Sequence, residues 1–110
     1  MSDGHSEDSR ELGTRNASEL FKRLRETGDP AIRERLILMH DPLVFHVAKE
    51  YAHHGELLED LVQVGRVGLI NAVDRYDPSR NTKFATFAVP TIKGEIRRWF
   101  RDKGWVIKVP

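Results

Sequence analysis

The stretch from Leu57 to Tyr76, LLEDLVQVGRVGLINAVDRY, constrains the fold more than any other part of the chain. Its apolar and small residues recur every three or four positions, which puts them on one face of an α-helix. These residues are Leu58, Leu61, Gly65, Gly68, Ala72 and Tyr76. A glycine inside a helix costs about 1 kcal/mol relative to alanine, so two within one turn need a packing reason. We predict that Gly65, Gly68 and Ala72 form a strip of small side chains that a second helix crosses closely.

A second stripe on the same helix mixes apolar and polar side chains. It contains Asp60, Gln63, Val67, Ile70 and Asp74 at the same helical spacing. A fully solvated face has no need of valine and isoleucine, and a fully buried face does not carry two aspartates. The stripe therefore predicts a docking surface, and a face partly covered by the rest of the chain is the alternative.

Cysteine content and polarity limit where the protein can act. The 110 residues contain no cysteine, which excludes disulfides and thiolate metal sites. No apolar run reaches the ~18 residues that span a bilayer, and the polar N-terminus does not resemble a signal peptide. We predict a soluble, cytoplasmic protein with no membrane association, in which residues 1–15 are disordered and residues 16–110 form one helical domain.

Start and stop signals divide residues 16–56 into short helices. Asn16 is a candidate N-cap for a helix that carries Leu20, Phe21 and Leu24 and ends near Gly28. Asp29-Pro30 and Asp41-Pro42 each predict a new helix start or a kink, since proline suits the first helical position and cannot donate a hydrogen bond. Apolar residues continue on one face of these helices, and 53–55 is predicted to be a turn.

The C-terminal part is predicted to be one more helix, from Phe84 to Asp102. Residues 77–81, DPSRN, are a loop signal before it. Thr86 is a candidate N-cap, with Pro90 at the edge of the first turn, and Gly104 is a candidate stop before an extended exit over residues 105–110. No strand pair and no repeat is recognisable, so the predicted fold class is all-α.

The sequence lacks the patterns that carry catalysis. It has no glycine-rich phosphate loop, no zinc-ligand spacing and no serine in a nucleophile elbow. Adjacent histidines at 53 and 54 point apart on a helix or turn, which does not favour a metal site. We therefore predict a binding protein that is not an enzyme and needs no cofactor.

The segment from Lys83 to Lys108 concentrates positive charge and interleaves it with aromatic rings. Residues 83–110 carry seven Lys or Arg against two Asp or Glu, on a chain whose formal net charge is +1. Cations hold phosphates, and aromatic rings stack on unpaired bases, so this pattern favours nucleic acid. Two alternatives stay open: an amphipathic helix whose rings belong to the core, and a helix on a membrane surface.

Two long motifs resemble a known family. DLVQVGRVGLINAVDRYDP followed by FATFAVPTIKGEIRRWFRDKGWVIKVP is similar to the second conserved region of bacterial RNA polymerase sigma factors. The VPTIKGEIRRWFRDK stretch looks most like the alternative general-stress and sporulation type, SigB, SigF and SigG. The resemblance spans about residues 30–110 and implies a compact helical domain that acts in transcription initiation.

The resemblance also implies roles for particular residues. Residues 57–76 match the helix that docks on the clamp helices of the large polymerase subunit, and 83–108 match the segment that recognises and melts the minus-ten promoter element. Phe87 matches an aromatic that stacks on a flipped base of the non-template strand, and Gly94 and Arg97 match readers of the upstream edge of that element. The implied core-binding residues are Asp60, Gln63, Val64, Arg66 and Ile70. The implied DNA-binding residues are Lys83, Phe87, Lys93, Gly94, Arg97, Arg98 and Arg101.

The chain departs from housekeeping sigma factors at Pro90-Thr91, where those factors carry two adjacent tryptophans that hold the melted junction open. The departure argues against strong intrinsic melting. The domains that follow region 2 in the family are not in this sequence, which predicts a fragment. A regulatory domain bound mainly by an anti-sigma factor is the alternative function, and such a partner is expected in the SigB and SigF type.

Overall fold

The computed structural model describes residues 17–52 and 57–108, with side chains described as far as Lys103. All regular structure in these residues is helical. The first helix, α1, covers residues 17–27. It is followed by α2 (Pro30–Met39), α3 (Asp41–Lys49), α4 (Leu58–Arg75) and α5 (Phe84–Lys108). The all-α prediction is confirmed.

Glycine and the Asp-Pro pairs set the helix boundaries, as predicted. Gly28 has a φ of +67°, a conformation that glycine adopts without strain, and its N–H donates to the carbonyl of Leu24 at 2.8 Å. Asp29 then caps α2, because its Oδ1 accepts from the N–H of Ala31 at 2.9 Å. The helix restarts at Asp41, so α2 and α3 are separate elements.

The hydrophobic core lies between α4 and the other helices. Helix α4 presents Leu61, Leu69, Ala72 and Val73 to it with no exposed surface. The predicted helix from Leu57 to Tyr76 is confirmed, with these two end residues as its caps. The remaining core residues come from all the other helices and the end of α4: Leu20, Phe21, Leu24, Ile32, Leu36, Val44, Val47, Ala48, Tyr76, Phe84, Ala88, Ile92 and Ile96.

The strip of small residues on α4 is where α5 crosses closely. A Cβ atom added at Gly68 would lie 2.7 Å from the Cα of Ile92 and 2.9 Å from the carbonyl oxygen of Thr91. One added at Gly65 would lie 2.9 Å from Cγ1 of Val44. The predicted packing reason for the two glycines is confirmed, since a side chain at Gly68 would meet backbone that cannot move away alone.

The predicted start of the last helix was right at Phe84 but wrong about its cap. Thr86 is the third residue of α5, and Pro90 lies in the helix interior. The first helical hydrogen bond runs from the N–H of Phe87 to the carbonyl of Lys83 at 3.1 Å. The start lies before Thr86 because the Phe84 ring is buried among other aromatic rings of the core. Pro90 faces solvent, so its ring meets no core residue, although the helix loses one hydrogen bond there.

The predicted end of the last helix was also wrong. Helix α5 continues past Asp102 and through Gly104 to Lys108, so residues 105–108 are not extended. Glycine ends a helix when it adopts the left-handed conformation, and among the described residues only Gly28 does so.

Several predictions fall on residues outside the described ranges. They are the cap at Asn16, the turn at 53–55, the tail over residues 1–15 and the exit at 109–110. In the part of the chain that the structure describes, no helix is long and apolar enough to cross a membrane.

Candidate functional site

The outward face of α5 carries the cations and the ring that the sequence singled out. Phe87, Gly94 and Arg101 are seven residues apart, which places them in one line along the helix. Arg97 and Arg98 lie one turn beyond Gly94 and flank this line. Ile92 and Ile96 occupy the opposite face and are fully buried. The core therefore fixes which side of α5 faces solvent.

The cations on this helix differ in how they are engaged. Arg97 and Arg101 are exposed and form no ion pair with another described residue. Arg98 lies 3.4 Å from Glu95, and Lys93 Nζ lies 3.6 Å from Oε1 of Glu50 at the end of α3. The predicted row of Lys93, Arg97 and Arg101 is thus incomplete, because Lys93 turns toward α3 while the two arginines stay available.

Phe87 lines an open pocket at the junction between α4 and α5. The ring is half-buried, and its centroid lies 5.7 Å from that of Tyr76. The pocket has a volume of about 400 Å³. Its lining residues are Arg75, Tyr76, Asp77, Arg80, Thr82 and Phe87. Lys83, also exposed, lies just before the start of α5.

A cluster of aromatic rings packs against Tyr76, which lines this pocket. The Tyr76 ring packs edge-on against Phe21 at 4.8 Å and against Phe84 at 5.3 Å, and Phe21 lies 4.8 Å from Phe84. The Tyr76 hydroxyl donates to the carbonyl of Thr82, which ties the loop over residues 77–83 to the end of α4. Burial, with the nearby Asp77 carboxylate, raises the pKa of Tyr76, so its hydroxyl stays protonated and able to donate.

The rim of the pocket combines positive charge with an ordered turn. Asp77 Oδ1 accepts from both the N–H and the hydroxyl of Ser79, at 3.0 and 2.7 Å, and these bonds lower the pKa of Asp77. Arg80 lies 4.0 Å from Asp77, and its side chain is 80% exposed, so its guanidinium is open to a phosphate. An aromatic wall beside exposed arginines suits a planar base attached to a phosphate backbone.

Helix α1 holds the pocket side of α4 in place. The Arg25 guanidinium donates to the carbonyls of Val73 and Asp74 at 2.9 and 2.7 Å. These carbonyls belong to the last turn of α4 and have no helical partner of their own. The sequence analysis missed Arg25, Tyr76 and Arg80 as site residues. A loop of the type DPSR directly after a helix is a signal that could have suggested Arg80.

The outward stripe of α4 is exposed over most of its length. Asp60, Gln63 and Val67 face solvent, with Val67 49% exposed, and Ile70 is half-buried. Asp74 differs, because it accepts from Nε and Nη2 of Arg33 on α2 at 2.7 and 3.1 Å. The intramolecular alternative therefore holds at Asp74, while the stretch from Asp60 to Ile70 is left uncovered by the described part of the chain and its docking role stays a prediction.

The other two residues assigned to core binding have neighbours within the domain. Val64 is half-buried and packs against the core. Arg66 donates from Nε and Nη2 to the two oxygens of Asp41 at 2.7 and 3.0 Å, which joins α4 to the start of α3. The guanidinium lowers the pKa of the Asp41 carboxyl, although partial burial opposes this effect.

We expect the Asp41–Arg66 pair to make stability depend on pH in the acid range. Because the pKa of Asp41 is lower in the folded than in the unfolded state, the pair stabilises the fold above the unfolded value of about 4. This stabilisation, at most about 1 kcal/mol for a partly exposed pair, is lost as pH falls through the folded pKa. Asp41→Asn should lower the melting temperature at pH 7. Between pH 5 and pH 3, the melting temperature of Asp41→Asn should fall less than that of the parent chain. An equal fall of the melting temperature in both proteins over this range would contradict the assignment.

Comparison with known proteins gives one consistent result. Residues 36–106 match the Sigma-70 region 2 family. The chain is 49% identical over 79 residues to the RNA polymerase sigma-F factor of Kitasatospora aureofaciens, covering 72% of this chain and 27% of that protein. It is 46% identical over 83 residues to the sigma-G factor of Bacillus subtilis, covering 76% of this chain and 32% of that protein. Against the sigma-B factor of Bacillus subtilis, the identity is 45% over 82 residues, covering 74% and 31%.

The helical fold and these matches agree on the class of protein, a region 2 domain of bacterial sigma factors. The chain belongs to the Sigma-70 region 2 family, and its resemblance to the SigF, SigB and SigG type is confirmed. It spans about a third or less of the length of these relatives. The matched range starts inside α2, so α1 and the Arg25 side chain lie outside it, whereas the Val73 and Asp74 carbonyls that accept from Arg25 lie within it.

Proposed function

We propose that the chain serves transcription initiation as the part of a sigma factor that binds RNA polymerase core and the minus-ten promoter element. It acts as a binding module in the bacterial cytoplasm. The observation that supports this most strongly is the pocket beside Phe87, since the exposed Arg75 and Arg80 line it together with the ring. Family membership and the similarity to sigma-F, sigma-G and sigma-B factors support the same function.

In this proposal, α5 follows the promoter with its outward face. Arg97 and Arg101 bind phosphates, since both are exposed without an ion pair to another described residue. Lys83 adds positive charge just before the start of α5, and Arg98, which lies 3.4 Å from Glu95, adds it beside Arg97. Lys93 contributes only if DNA competes with Glu50, because the two side chains lie 3.6 Å apart.

The pocket is proposed to take an unpaired base of the non-template strand. The base stacks on Phe87, whose position is fixed by Tyr76 beneath it. Arg80 and Arg75 at the rim hold the adjoining phosphates, because one guanidinium group can donate two parallel hydrogen bonds to the oxygens of one phosphate. Capture of one base in this way stabilises the open form of the promoter without any covalent step.

Pro90 and Thr91 affect how much melting the domain achieves alone. Pro90 faces solvent on α5, one turn after Phe87, and neither it nor Thr91 supplies an aromatic ring to stack on the edge of the melted region. We therefore expect Phe87 and its pocket to carry most of the base stacking. The domain should depend on polymerase core for opening of the promoter.

Core binding is proposed to use the exposed part of the α4 stripe. Asp60 and Gln63 are exposed and form no side-chain hydrogen bond with another described residue. Val67 and Ile70 supply apolar surface beside them. Apolar side chains next to polar ones are typical of protein interfaces. Arg66 and Val64 lie next to this surface, with Arg66 positioned by Asp41. The clamp helices of the large polymerase subunit are the proposed partner.

Replacing Asp60 and Gln63 with alanine together tests the docking surface. The double variant should retain only about a tenth of the core affinity or less, since two side chains of the proposed interface are truncated together. Its fold should be unaffected, because neither side chain is buried. Retention of core polymerase on the immobilised chain gives the measurement. Glu34→Ala on α2 is the control, since it removes one negative charge at an exposed position elsewhere. Equal retention by the double variant and the control would contradict the assignment.

An anti-sigma factor is the second partner we propose. Leu38 is 66% exposed and Phe45 is 46% exposed, and both lie on the short helices α2 and α3, outside the α4 stripe. We propose that these two exposed apolar side chains take part in that contact. Salt separates the two functions, because phosphate contacts weaken steeply as salt rises and an apolar interface changes little. If the chain bound an anti-sigma factor but neither core polymerase nor promoter DNA, the regulatory alternative would replace the main proposal.

A further inference from the structure

The Arg66 guanidinium is held by α3 on one edge and left open on the other. Its Nε and Nη2 donate to Oδ1 and Oδ2 of Asp41 at 2.7 and 3.0 Å, so one carboxylate takes up two of its three nitrogens. The third nitrogen, Nη1, donates to no other described residue, and the Arg66 side chain is 46% exposed. The pair therefore leaves Arg66 with two N–H groups that a molecule outside the domain can use.

Arg66 lies beside the residues proposed for docking on polymerase. Gln63 precedes it by three positions and Ile70 follows it by four, so both are its neighbours on the surface of α4. Val67 comes next in the sequence and is exposed. The ordered guanidinium thus lies at the edge of the α4 stripe that faces α3.

Asp41 is attached to a rigid part of the domain. It is the first residue of α3, and that helix buries Val44 and Val47 in the core. Two parallel hydrogen bonds from one guanidinium to one carboxylate also fix the plane of the guanidinium. A long exposed side chain otherwise samples many rotamers, and a partner that binds it has to select one of them at a cost in affinity. The contact with Asp41 removes most of this cost before any partner arrives.

We propose that Asp41 is a positioning residue for polymerase binding, which holds the Arg66 guanidinium in the orientation that the large polymerase subunit accepts. This inference rests on the proposed function and adds a residue that acts through Arg66 and makes no polymerase contact of its own. The matching group on the polymerase is an oxygen acceptor, because Nη1 only donates. Asp41 also balances the charge of Arg66, so the pair selects its partner by hydrogen-bond geometry more than by long-range attraction.

A second ion pair of the same kind supplies a matched control. Arg33 on α2 donates from Nε and Nη2 to the two oxygens of Asp74 on α4, at 2.7 and 3.1 Å, and its exposure is similar. Asp74 follows Arg66 by eight residues, which is about 12 Å along the helix axis. Arg33→Gln therefore breaks an equivalent link between α4 and a short helix, at a comparable cost in stability, away from the docking stretch.

The affinity of each variant for core polymerase, measured by fluorescence anisotropy of the labelled chain well below its melting temperature, tests the proposal. Asp41→Asn should weaken core affinity by about fivefold, within the ordering cost of one long side chain. The asparagine NH₂ would face guanidinium donors, so the paired hydrogen bonds cannot form. Arg33→Gln should stay within about twofold of the parent chain, and so should Glu34→Gln, which removes a negative charge at an exposed position of α2.

A double-mutant cycle shows whether Asp41 acts through Arg66. Arg66→Ala should weaken core affinity at least as much as Asp41→Asn, because it removes the donor itself. Adding Asp41→Asn to Arg66→Ala should then cause no further loss. Thermal unfolding of every variant shows that Asp41→Asn and Arg33→Gln lose comparable stability, so a difference between their core affinities does not come from the fold.

Parent-like core affinity for Asp41→Asn overturns the inference, and so does a gain, since Asp41 would then compete with the polymerase for Arg66. Losses of the same size for Asp41→Asn and either control overturn it as well, because stability or net charge would explain them. A full further loss on the Arg66→Ala background also overturns it, as Asp41 would act without Arg66. In all these cases binding of the parent chain to core polymerase leaves the proposed function intact. If the parent chain does not bind core polymerase, the inference and the proposed core binding fail together.

Discussion

Gly68→Leu is expected to destabilise the domain by about 3 kcal/mol, at the upper end of overpacking costs. The added Cβ atom alone would lie 2.7 Å from the Cα of Ile92, and the rest of the side chain would push α5 off α4. Leucine gains about 1 kcal/mol in helix propensity over glycine, which does not offset this cost. Urea denaturation followed by circular dichroism measures the change in the free energy of unfolding.

Gly94→Leu is the matched control for this experiment. It makes the same substitution in α5, where a Cβ atom meets nothing within 4 Å. We expect it to leave the free energy of unfolding unchanged or to raise it. An unfolding midpoint for Gly68→Leu at or above that of the parent chain would show that α4 and α5 do not pack as described.

Phe87→Ala is expected to impair capture of an unpaired base while sparing binding to duplex DNA. Loss of the ring should cost about 1–3 kcal/mol on a pre-melted promoter, the range for base stacking on aromatic side chains. Phe87→Tyr keeps the ring and should retain most of the affinity. The measurement is the affinity of the complex with core polymerase for a pre-melted and for a fully duplex promoter fragment. Equal losses on the two fragments would exclude a stacking role.

Arg101→Ala should weaken DNA binding in a different way from Phe87→Ala. As a phosphate contact, Arg101 contributes to every promoter sequence, so its loss should weaken binding broadly and reduce the salt slope by about one unit. Arg97→Ala should do the same and also relax preference at one promoter position if Arg97 reads a base edge. If none of the three variants lost affinity, α5 would not be a DNA-binding helix.

The parts of the fold that follow from local patterns were predictable from sequence. The spacing of Leu61, Gly65, Gly68 and Ala72 predicted α4 and the close crossing of a second helix, because helical periodicity and the cost of interior glycine are local properties. Asp29-Pro30 likewise fixed the start of α2. The extent of α5 was not predictable in this way. Burial of Phe84 set its start, and burial is a property of the whole fold.

The candidate site was only partly predictable for the same reason. Phe87 and the exposed arginines could be recognised from composition and resemblance. The pocket beside Phe87 could not, since it depends on Tyr76 and Arg80 being brought together by the 77–83 loop. The Lys93 contact with Glu50 and the Arg66 contact with Asp41 join residues far apart in sequence. A periodic pattern on one helix contains no information about partners on another helix.

The central claim is that the pocket beside Phe87 holds one unpaired base of the promoter, and a scan with abasic sites tests it most directly. The chain bound to core polymerase is titrated with pre-melted promoter fragments that each lack one base of the non-template strand. The account predicts that one abasic position weakens binding of the parent chain by about tenfold, within the range for stacking of one base. The same position should have no effect on Phe87→Ala, because the ring and the base act as a pair. The account would be contradicted if no abasic position weakened promoter binding by the parent chain. It would also be contradicted if the abasic position weakened binding of Phe87→Ala as much as binding of the parent chain.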